Sequence, residues 1–276
     1  MRIRTAILMS LAMATVAMAE PVKIVAWNLE WFPGRRPDAK PEEQARHMKQ
    51  VQKALKKLDA DILILTEVRD QDAVKEAVSL LPGFKVNVVS DFQLRHQQIA
   101  IASRYKSRLA WSQRWLQPIY GPPRGFSFAD LSLPGGAQLL VFGVHLKSNR
   151  GVDVMNRCMR EASALQLIAY ANFAKQRLGA KRTGVLLAGD FNTNLDSPKF
   201  KRDATCGMLR YAGFWWPFAT LPPEQRVTWH GRDYDPVQFD HFFSWNLGRS
   251  AARPLGYDTV SDHHPIVMIV DTDDIK

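Results

Sequence analysis

Two polar side chains follow an apolar run near the middle of this sequence. Residues 185–188 read Val-Leu-Leu-Ala, and Gly189, Asp190, Phe191 and Asn192 come directly after them. The run predicts a buried strand, and Asp190 and Asn192 lie on the same side of an extended chain because they are two residues apart. A carboxylate and an amide held together can orient a water molecule or hold a metal ion beside a reacting phosphorus atom. Taken alone, however, the stretch is more typical of a strand that ends in an Asn/Asp turn.

The same pattern, a strand that ends in a polar side chain, recurs along the chain. Besides Asp190 and Asn192, the strand ends carry Asn28, Glu30, Glu67, His145, Asp240, Asp262 and His263. Each residue has an ordinary explanation, as a turn cap or as a core histidine. Their joint occurrence at six strand ends favours one shared site. Oxygen ligands without a cysteine cluster suit Mg²⁺, Mn²⁺ or Ca²⁺ better than structural zinc.

The elements that must position these residues are interleaved strands and helices. Hydrophobic periodicity predicts helices at 38–58, 71–81 and 155–178, and strands at 22–31, 61–67, 84–90, 98–103, 126–133, 137–145, 185–188, 238–243 and 266–270. Pro134-Gly135-Gly136 predicts a hairpin. Because several strands pair through hairpins, we expect mixed sheets covered by helices.

A loop-rich segment spans residues 194–236 and contains Trp215 and Trp216. This tryptophan pair could stack on bases or insert into lipid. More often, such a pair packs a loop onto the core.

The N-terminus predicts a secretory signal. Arg2 and Arg4 precede an apolar segment, residues 6–16, that is too short to span a bilayer, and Ala17-Met18-Ala19 fits a cleavage site. We therefore expect a signal peptide at residues 1–19 and a periplasmic or secreted protein without a transmembrane segment. With no repeat or linker, residues 20–276 are expected to form one domain and a monomer.

The charge and the two cysteines restrict the partners and the compartment. Cleavage would remove two arginines and no acidic residue, which lowers the formal charge of +10 to +8. A basic exported protein attracts polyanions such as nucleic acid, although scattered charge also serves solubility. Cys158 and Cys206 are expected to form a disulfide in an oxidising compartment, and two buried thiols are the alternative.

Six short motifs together resemble the endonuclease/exonuclease/phosphatase family, which has the deoxyribonuclease I-like fold. In chain order they are Trp27-Asn28-Leu29-Glu30, Leu65-Thr66-Glu67-Val68, Gly143-Val144-His145, Gly189-Asp190-Phe191-Asn192, Phe239-Asp240-His241 and Ser261-Asp262-His263. The resemblance covers nearly the whole mature chain. It implies an α/β (α+β) four-layer sandwich, with two central mixed β-sheets flanked by helices, and metal-dependent cleavage of a phosphoester.

The resemblance also implies roles for the residues at the strand ends. Glu67 resembles the main metal ligand, with Asn28, Glu30 and Asp262 beside it, and Mg²⁺ (or Mn²⁺ or Ca²⁺) is the implied ion. The remaining five residues resemble the catalytic set. Asp190 and Asn192 would hold the attacking water and a phosphate oxygen, His263 would stand at the scissile phosphate with Asp240 as its carboxylate partner, and His145 would be the second histidine.

Three further residues resemble the substrate-binding set of the deoxyribonuclease I branch. Arg69, in Thr66-Glu67-Val68-Arg69-Asp70, would reach into a minor groove. Asp91 would partner His145, and Arg124 would contact a phosphate. An exposed surface charge is the alternative for both arginines.

Three functions are compatible with these features. The first is a secreted metal-dependent nuclease acting on DNA or RNA, favoured by the charge and by Arg69. The second is a phosphodiesterase or phosphatase of lipid headgroups or inositol phosphates on the same fold, since fold alone does not separate substrates. No long apolar hairpin that would favour lipid occurs in the sequence. The third is a non-catalytic binding protein, which should have lost some of these polar residues.

Overall fold

Two β-sheets lie face to face at the centre of the protein. The computed structural model describes residues 21–93, 96–116, 121–256 and 259–276, so the predicted signal peptide lies outside the described residues. In chain order the strands are β1 (Val22–Phe32), β2 (Ile62–Val68), β3 (Lys85–Val89), β4 (Gln98–Ser103), β5 (Ser107–Arg114), β6 (Gly125–Ser132), β7 (Gln138–His145), β8 (Thr183–Asp190), β9 (Asp240–Trp245), β10 (Ala252–Pro254) and β11 (Ile266–Val270).

The helices cover the outer faces of these sheets. They are α1 (Pro41–Leu58), α2 (Gln71–Val78), α3 (Asp153–Leu178) and α4 (Thr205–Tyr211), with short 3₁₀ turns at Pro134–Gly136, Pro198–Phe200, Pro223–Gln225 and Thr272–Asp274. None of the helices in the described part of the chain has the length and hydropathy that crossing a bilayer requires.

Both sheets are mixed. The first has the strand order β10-β11-β1-β2-β4-β3, and the second has the order β5-β6-β7-β8-β9. Strands β1 and β2 are parallel, as are β7 and β8, whereas the other described neighbours are antiparallel. Strands such as β2 and β8 are apolar on both faces because a sheet covers one face and helices cover the other. The predicted four-layer sandwich is confirmed.

A close approach between the sheets occurs at Gly143 in β7. A Cβ atom built there would lie 3.0 Å from the Cγ2 atoms of both Ile64 and Ile99. The apolar side chains of the inner faces, from both sheets, form one core, to which Leu167 and Ala171 of α3 also belong. Close packing of this kind holds the strand ends, and therefore the polar residues on them, in fixed positions.

Several elements differ from the sequence-based expectation. Strands β5 and β10 and helix α4 lie where no regular element is predicted. β5 forms one edge of its sheet, and most of its residues are partly or fully exposed, so its polar sequence carries little of the apolar signal of a strand. Trp216 is buried and Trp215 is half-buried against β9, so this pair packs its loop onto the core.

The expected disulfide is wrong. Cys158 and Cys206 are both free thiols, Cys158 exposed on α3 and Cys206 buried in α4. The reason is the orientation of α3, whose buried face carries Asn156, Arg160 and Ser163, while the apolar residues Val154 and Leu165 face the solvent with Cys158. Cys206 belongs to the larger apolar core, and burial raises the pKa of its thiol.

Candidate active site

Three of the predicted residues lie in one row across the second sheet. In the parallel pair β7–β8, His145 is opposite Asp190, and in the antiparallel pair β8–β9, Asp190 is opposite Asp240. The row depends on Gly189, which has a φ of 134° and whose Cβ would lie 2.1 Å from the Val144 carbonyl oxygen. A larger residue there would push β8 away from β7 and break the row.

The ends of β1 and β2 bring a second group of side chains to this row. Asn28 Nδ2 donates to Asp190 Oδ2 at 2.9 Å and to Glu67 Oε1 at 3.2 Å, so one amide links the two sheets. The registers of both strands shift between Asn28 and Phe32 and between Thr66 and Val68. Glu67 has a positive φ of 59° at this irregularity, a conformation that non-glycine residues seldom adopt and that occurs often at functional sites.

Asp190 is the centre of the site. Its Oδ1 accepts from the backbone N–H of Asn192 at 2.9 Å. Its Oδ2 lies 3.6 Å from His145 Nε2 and 3.8 Å from His263 Nε2. Burial raises the pKa of this carboxyl to about 7, with Asp240 adding to the rise and His263 opposing it. A carboxylate of this kind exchanges a proton near neutral pH.

His263 contacts Asp240 directly. Its Nδ1 lies 2.7 Å from Asp240 Oδ2, and both side chains are buried. Burial alone would lower the pKa of this imidazole, but the charge and hydrogen bond of Asp240, with Asp190 and Asp262, outweigh burial and raise the pKa to about 10. His263 is therefore a charged donor at neutral pH. This is the contact that the family resemblance implies.

Asp240 and His263 are themselves held by their surroundings. Thr228 Oγ1 accepts from the backbone N–H groups of Phe239 and Asp240. Trp27 Nε1 donates to the carbonyl oxygen of His263 at 2.8 Å. These contacts restrict the orientation of the pair before any substrate is present.

His145 differs from His263 in its charge. Burial, with the nearby charges of Arg124 and His263, lowers its pKa well below the ordinary value, so this imidazole is neutral. The expected pairing with Asp91 is wrong, because Asp91 is exposed and no group in the described part of the chain bonds His145 Nδ1. The carboxylates near His145 are those of Asp190 and Glu67, whose Oε1 lies 3.8 Å from Nε2.

Glu30 and Asp262 lie at the same end of the cleft as Glu67. Glu30 Oε2 accepts from Arg35 Nε at 2.6 Å and from the backbone N–H of Asp262 at 3.1 Å. Burial and the charge of Asp262 raise the pKa of Glu30, and Arg35 opposes that rise. The Asp262 carboxylate in turn accepts from Trp229 Nε1 at 3.0 Å. The sequence pattern does not indicate Arg35 or Trp229, because neither residue ends an apolar strand.

The cleft around these residues has an excess of acidic side chains. Its volume is about 1780 Å³. Among the described lining residues, eight are acidic (Glu30, Glu67, Asp153, Asp190, Asp196, Asp233, Asp235 and Asp262) and six are cationic (Arg35, Arg124, Arg150, Lys199, Arg226 and the protonated His263). An anionic phosphoester meets repulsion in such a cleft unless a cation offsets the carboxylates.

The residues present fit a hard divalent cation. Within the described ranges, no three His, Cys, Asp or Glu side chains converge tightly enough to enclose a metal ion. Mg²⁺ does not require such an enclosure, since it keeps several waters and uses one or two carboxylates together with substrate phosphate. The Glu67 carboxylate, 15% exposed at the cleft, provides such a ligand, and all the candidate donors are oxygen atoms.

A comparison with protein families gives one match. The sequence profile of the Endonuclease/Exonuclease/phosphatase family matches residues 25–263. The chain belongs to this family. It is accordingly a hydrolase that acts on phosphoester bonds. A comparison with curated proteins found no match.

Solved structures of similar fold support the same architecture. Truncated Caenorhabditis elegans TDP2 is 18% identical, with a TM-score of 0.68, and the match covers 91% of this chain and 98% of that one. An endonuclease/exonuclease/phosphatase from Bacteroides vulgatus is 14% identical, with a TM-score of 0.69 and the same coverage. A Leptotrichia buccalis family protein is 13% identical, with a TM-score of 0.64, covering 90% and 99% of the two chains.

Arg124 is buried against backbone carbonyl groups, whereas a phosphate-binding side chain was expected. It is 8% exposed, and its guanidinium donates to the carbonyl oxygens of His145 at 2.8 Å and Leu146 at 2.5 Å. Burial lowers its pKa, while Glu67 and Asp190 raise it. The side chain thus supports the backbone beneath His145, at the edge of the cleft.

Arg69 is not among the described residues that line the cleft. Its guanidinium donates to Gln44 Oε1 at 2.8 Å and to Asp70 Oδ2 at 2.9 Å.

Asn149, a lining residue that the sequence did not indicate, donates to the backbone oxygen of Asn192 at 3.0 Å. The Asn192 amide donates to the Leu146 carbonyl at 3.2 Å, so this loop and the Asp190 strand are joined.

Proposed function

We propose that this protein is an exported, divalent-metal-dependent phosphodiesterase that hydrolyses nucleic acid. The observation that carries the proposal is the cluster of nitrogen atoms around Asp190 Oδ2. Asn28 Nδ2 donates to this oxygen at 2.9 Å, and the Nε2 atoms of His145 and His263 lie 3.6 and 3.8 Å from it. A buried carboxylate whose pKa is raised, with two imidazoles beside it, suits a general base that acts on water.

The residues divide the reaction between them. Asp190 accepts the proton of the attacking water as its oxygen bonds to phosphorus, and the Asn28 amide holds the carboxylate in place. The P–O bond to the leaving alkoxide breaks in the same displacement, and the alkoxide takes a proton from solvent water. His263, kept protonated by Asp240, donates to a phosphoryl oxygen and stabilises the charge that develops there. His145 is neutral and serves as a second N–H donor at the same phosphate.

Glu67 would hold the metal ion, with Asn28, Glu30 and Asp262 close to it. When bound, a divalent cation supplies Lewis-acid polarisation of a phosphoryl oxygen and offsets the acidic cleft. Glu67 is oriented by the backbone N–H of Trp31, which donates to its Oε2 at 3.0 Å. Glu30 is already paired with Arg35, so we assign it a supporting role.

Two features favour nucleic acid over a lipid headgroup or inositol phosphate. The sequence carries a formal charge of +10, which attracts a polyanion at long range. The tryptophan pair that could have inserted into lipid is instead packed against the core, with Trp216 Nε1 3.2 Å from His241 Nδ1.

The basic residues at the start of the sequence and the small residues before position 20 support export of the chain.

The experiment is a substrate panel. Purified protein is incubated with plasmid DNA, RNA, sphingomyelin and inositol phosphates, each with Mg²⁺ and with excess chelator. We expect cleavage of nucleic acid with Mg²⁺ and none with chelator. Hydrolysis of sphingomyelin or an inositol phosphate without cleavage of DNA or RNA would move the substrate to the lipid and inositol phosphate class.

Two controls separate the site from the fold. His263→Ala removes a residue of the site, whereas Lys57→Ala removes an exposed side chain at the end of α1, outside the residues that line the cleft in the described structure. The first variant should lose activity, and the second should keep it. Full activity of wild-type protein in chelator would refute the metal requirement. N-terminal sequencing of the protein recovered outside the cytoplasm tests cleavage after Ala19.

A further inference from the structure

A second, smaller pocket opens beside the cleft. It has a volume of about 230 Å³, is built by the start of α3 and residues 198–203, and shares Asp153, Pro198, Lys199 and Phe200 with the cleft. The two cavities are therefore neighbours along one surface. We call this cavity the basic pocket, for its four cationic lining residues, which are Arg157, Lys199, Lys201 and Arg202.

The four cations of the basic pocket outnumber the two acidic residues that line it. Its acidic lining residues are Asp153 and Asp203. The buried Arg160 neutralises Asp203, with Nε 2.8 Å and Nη2 2.7 Å from Asp203 Oδ2. Glu161 offsets Arg157 only weakly, since the closest atoms are 3.9 Å apart. Asp153 therefore opposes several cations, the reverse of the acidic cleft next to it.

One of the cations, Lys199, also contacts two aromatic rings. Lys199 Nζ lies 5.8 Å from the centre of the Phe200 ring and 5.6 Å from that of Tyr234. The segment that carries Lys201 and Arg202 is fixed at its far end, where Asp203 binds Arg160. A concave surface that presents guanidinium and ammonium groups is suited to a phosphate rather than to an uncharged ligand.

We propose that the basic pocket binds a second phosphate of the strand whose scissile phosphate lies at His263. This inference rests on the proposed nucleic-acid substrate and makes it more specific. A polymer reaches both cavities at once, whereas a small phosphodiester reaches only the cleft. The basic pocket should therefore raise the affinity for a substrate with several phosphates over that for a single phosphoester, because one nucleic-acid strand occupies both cavities.

The test compares two double variants of equal charge change. Lys201→Gln with Arg202→Gln alters the pocket, and Lys56→Gln with Lys57→Gln removes two exposed cations from the last turn of α1, outside both cavities. Binding of a labelled single-stranded oligonucleotide is followed by fluorescence anisotropy in chelator, across a range of salt concentrations. Cleavage of the oligonucleotide and of bis(p-nitrophenyl) phosphate is measured with Mg²⁺.

The pocket variant should lose about 0.7 from the slope of log K against log salt for each phosphate contact removed. Its KM for the oligonucleotide should rise on the order of tenfold, while kcat/KM for bis(p-nitrophenyl) phosphate stays unchanged. The α1 variant should match wild type in both assays. Equal losses in the two variants, or an equal loss with bis(p-nitrophenyl) phosphate, would overturn the assignment.

The design separates this inference from the proposed function. If wild-type protein cleaves no nucleic acid, the proposed function fails, whatever the binding comparison shows. If cleavage occurs but oligonucleotide binding is the same in both variants, only the pocket assignment fails. A pocket variant that loses binding to phosphatidylglycerol vesicles, yet binds the oligonucleotide normally, would assign the pocket to a membrane surface and overturn the proposal.

Discussion

The replacement Asp240→Asn should reduce activity at neutral pH by removing the charge of His263. Asp240 Oδ2 lies 2.7 Å from His263 Nδ1, and its charge and hydrogen bond are the main contributions that oppose burial. An amide has nearly the same shape, so the variant keeps the packing and loses the carboxylate charge. The imidazole then experiences burial with less compensation, and its pKa falls.

His241, the next residue along β9, indicates how far that pKa can fall. It is also fully buried, and burial lowers its pKa to about 4, despite smaller opposing contributions from Thr193 and Asp240. An imidazole with a pKa of about 10 is almost entirely protonated at pH 7, whereas one with a pKa near 4 is protonated in about one molecule per thousand. If only the charged form of His263 assists the reaction, kcat should fall by about 10³.

The pH profile distinguishes this explanation from a general loss of structure. The wild-type rate should fall as pH rises through about 10, where His263 loses its proton. In Asp240→Asn the same alkaline limb should move to below pH 7, so the deficit shrinks as the assay is made more acidic. Initial rates on an oligonucleotide at saturating Mg²⁺ measure both features.

The stability of the fold should follow the same ion pair. The pKa of His263 in the folded protein is raised above 6.5, so its contribution to the free energy of unfolding is fully present below pH 6.5. That contribution is lost as pH rises through about 10. Urea titrations of wild type should therefore show a decline between these two pH values that Asp240→Asn lacks.

Matched variants complete the experiment. Asp235→Asn makes the same change at an exposed carboxylate of the same cleft and should leave kcat unchanged. In a double-mutant cycle, Asp240→Asn with His263→Ala should cost little more than either single change. Fully additive losses, or an Asp240→Asn variant with more than about a tenth of wild-type activity at pH 7, would refute the reasoning.

Three further predictions concern the metal, the cysteines and the buried arginine. Glu67→Gln should keep its metal-free Tm but lose the rise in Tm that Mg²⁺ produces; an unchanged rise would exclude Glu67 as the main ligand. A thiol reagent should modify Cys158 but not Cys206 in the native protein, and dithiothreitol should leave Tm unchanged. Arg160→Met leaves Asp203 buried without its partner, so urea titration should show a loss of about 3–5 kcal/mol, much of which Arg160→Met with Asp203→Leu should recover.

The sequence pattern by itself determined the mixed sheets covered by helices and the residue types at the site, whereas the family resemblance implied the two-sheet architecture. Each motif is a contiguous pattern, in which an apolar strand ends in an acid, an amide or a histidine, so local chain geometry is sufficient to predict it. The spans of α1 and α3 were also predicted to within a few residues, but only α1 gathers its apolar residues on the buried face. The family resemblance then implied which of these strand ends belong together.

Only the tertiary structure decided which side chains meet. Asp91 was expected to pair with His145, but Asp91 is exposed whereas His145 is buried. The strand register places Asp190 beside the His145 ring, and Glu67 also lies close to it. The cysteines remain unpaired because α3 turns Cys158 to the solvent. The buried face of α3 is apolar in its second half, at Leu167 and Ala171, but carries Arg160 in its first half, where Asp203 from far along the chain pairs with it.

The charge pattern at the site was likewise decided by the fold. A formal charge of +10 does not reveal that the cleft itself is acidic or that basic residues gather in the pocket beside it. Composition counts charges, whereas the folded chain sorts them by position and by partner. The pKa values of His145 and His263 move in opposite directions because both rings are buried but only His263 contacts a carboxylate at hydrogen-bond distance.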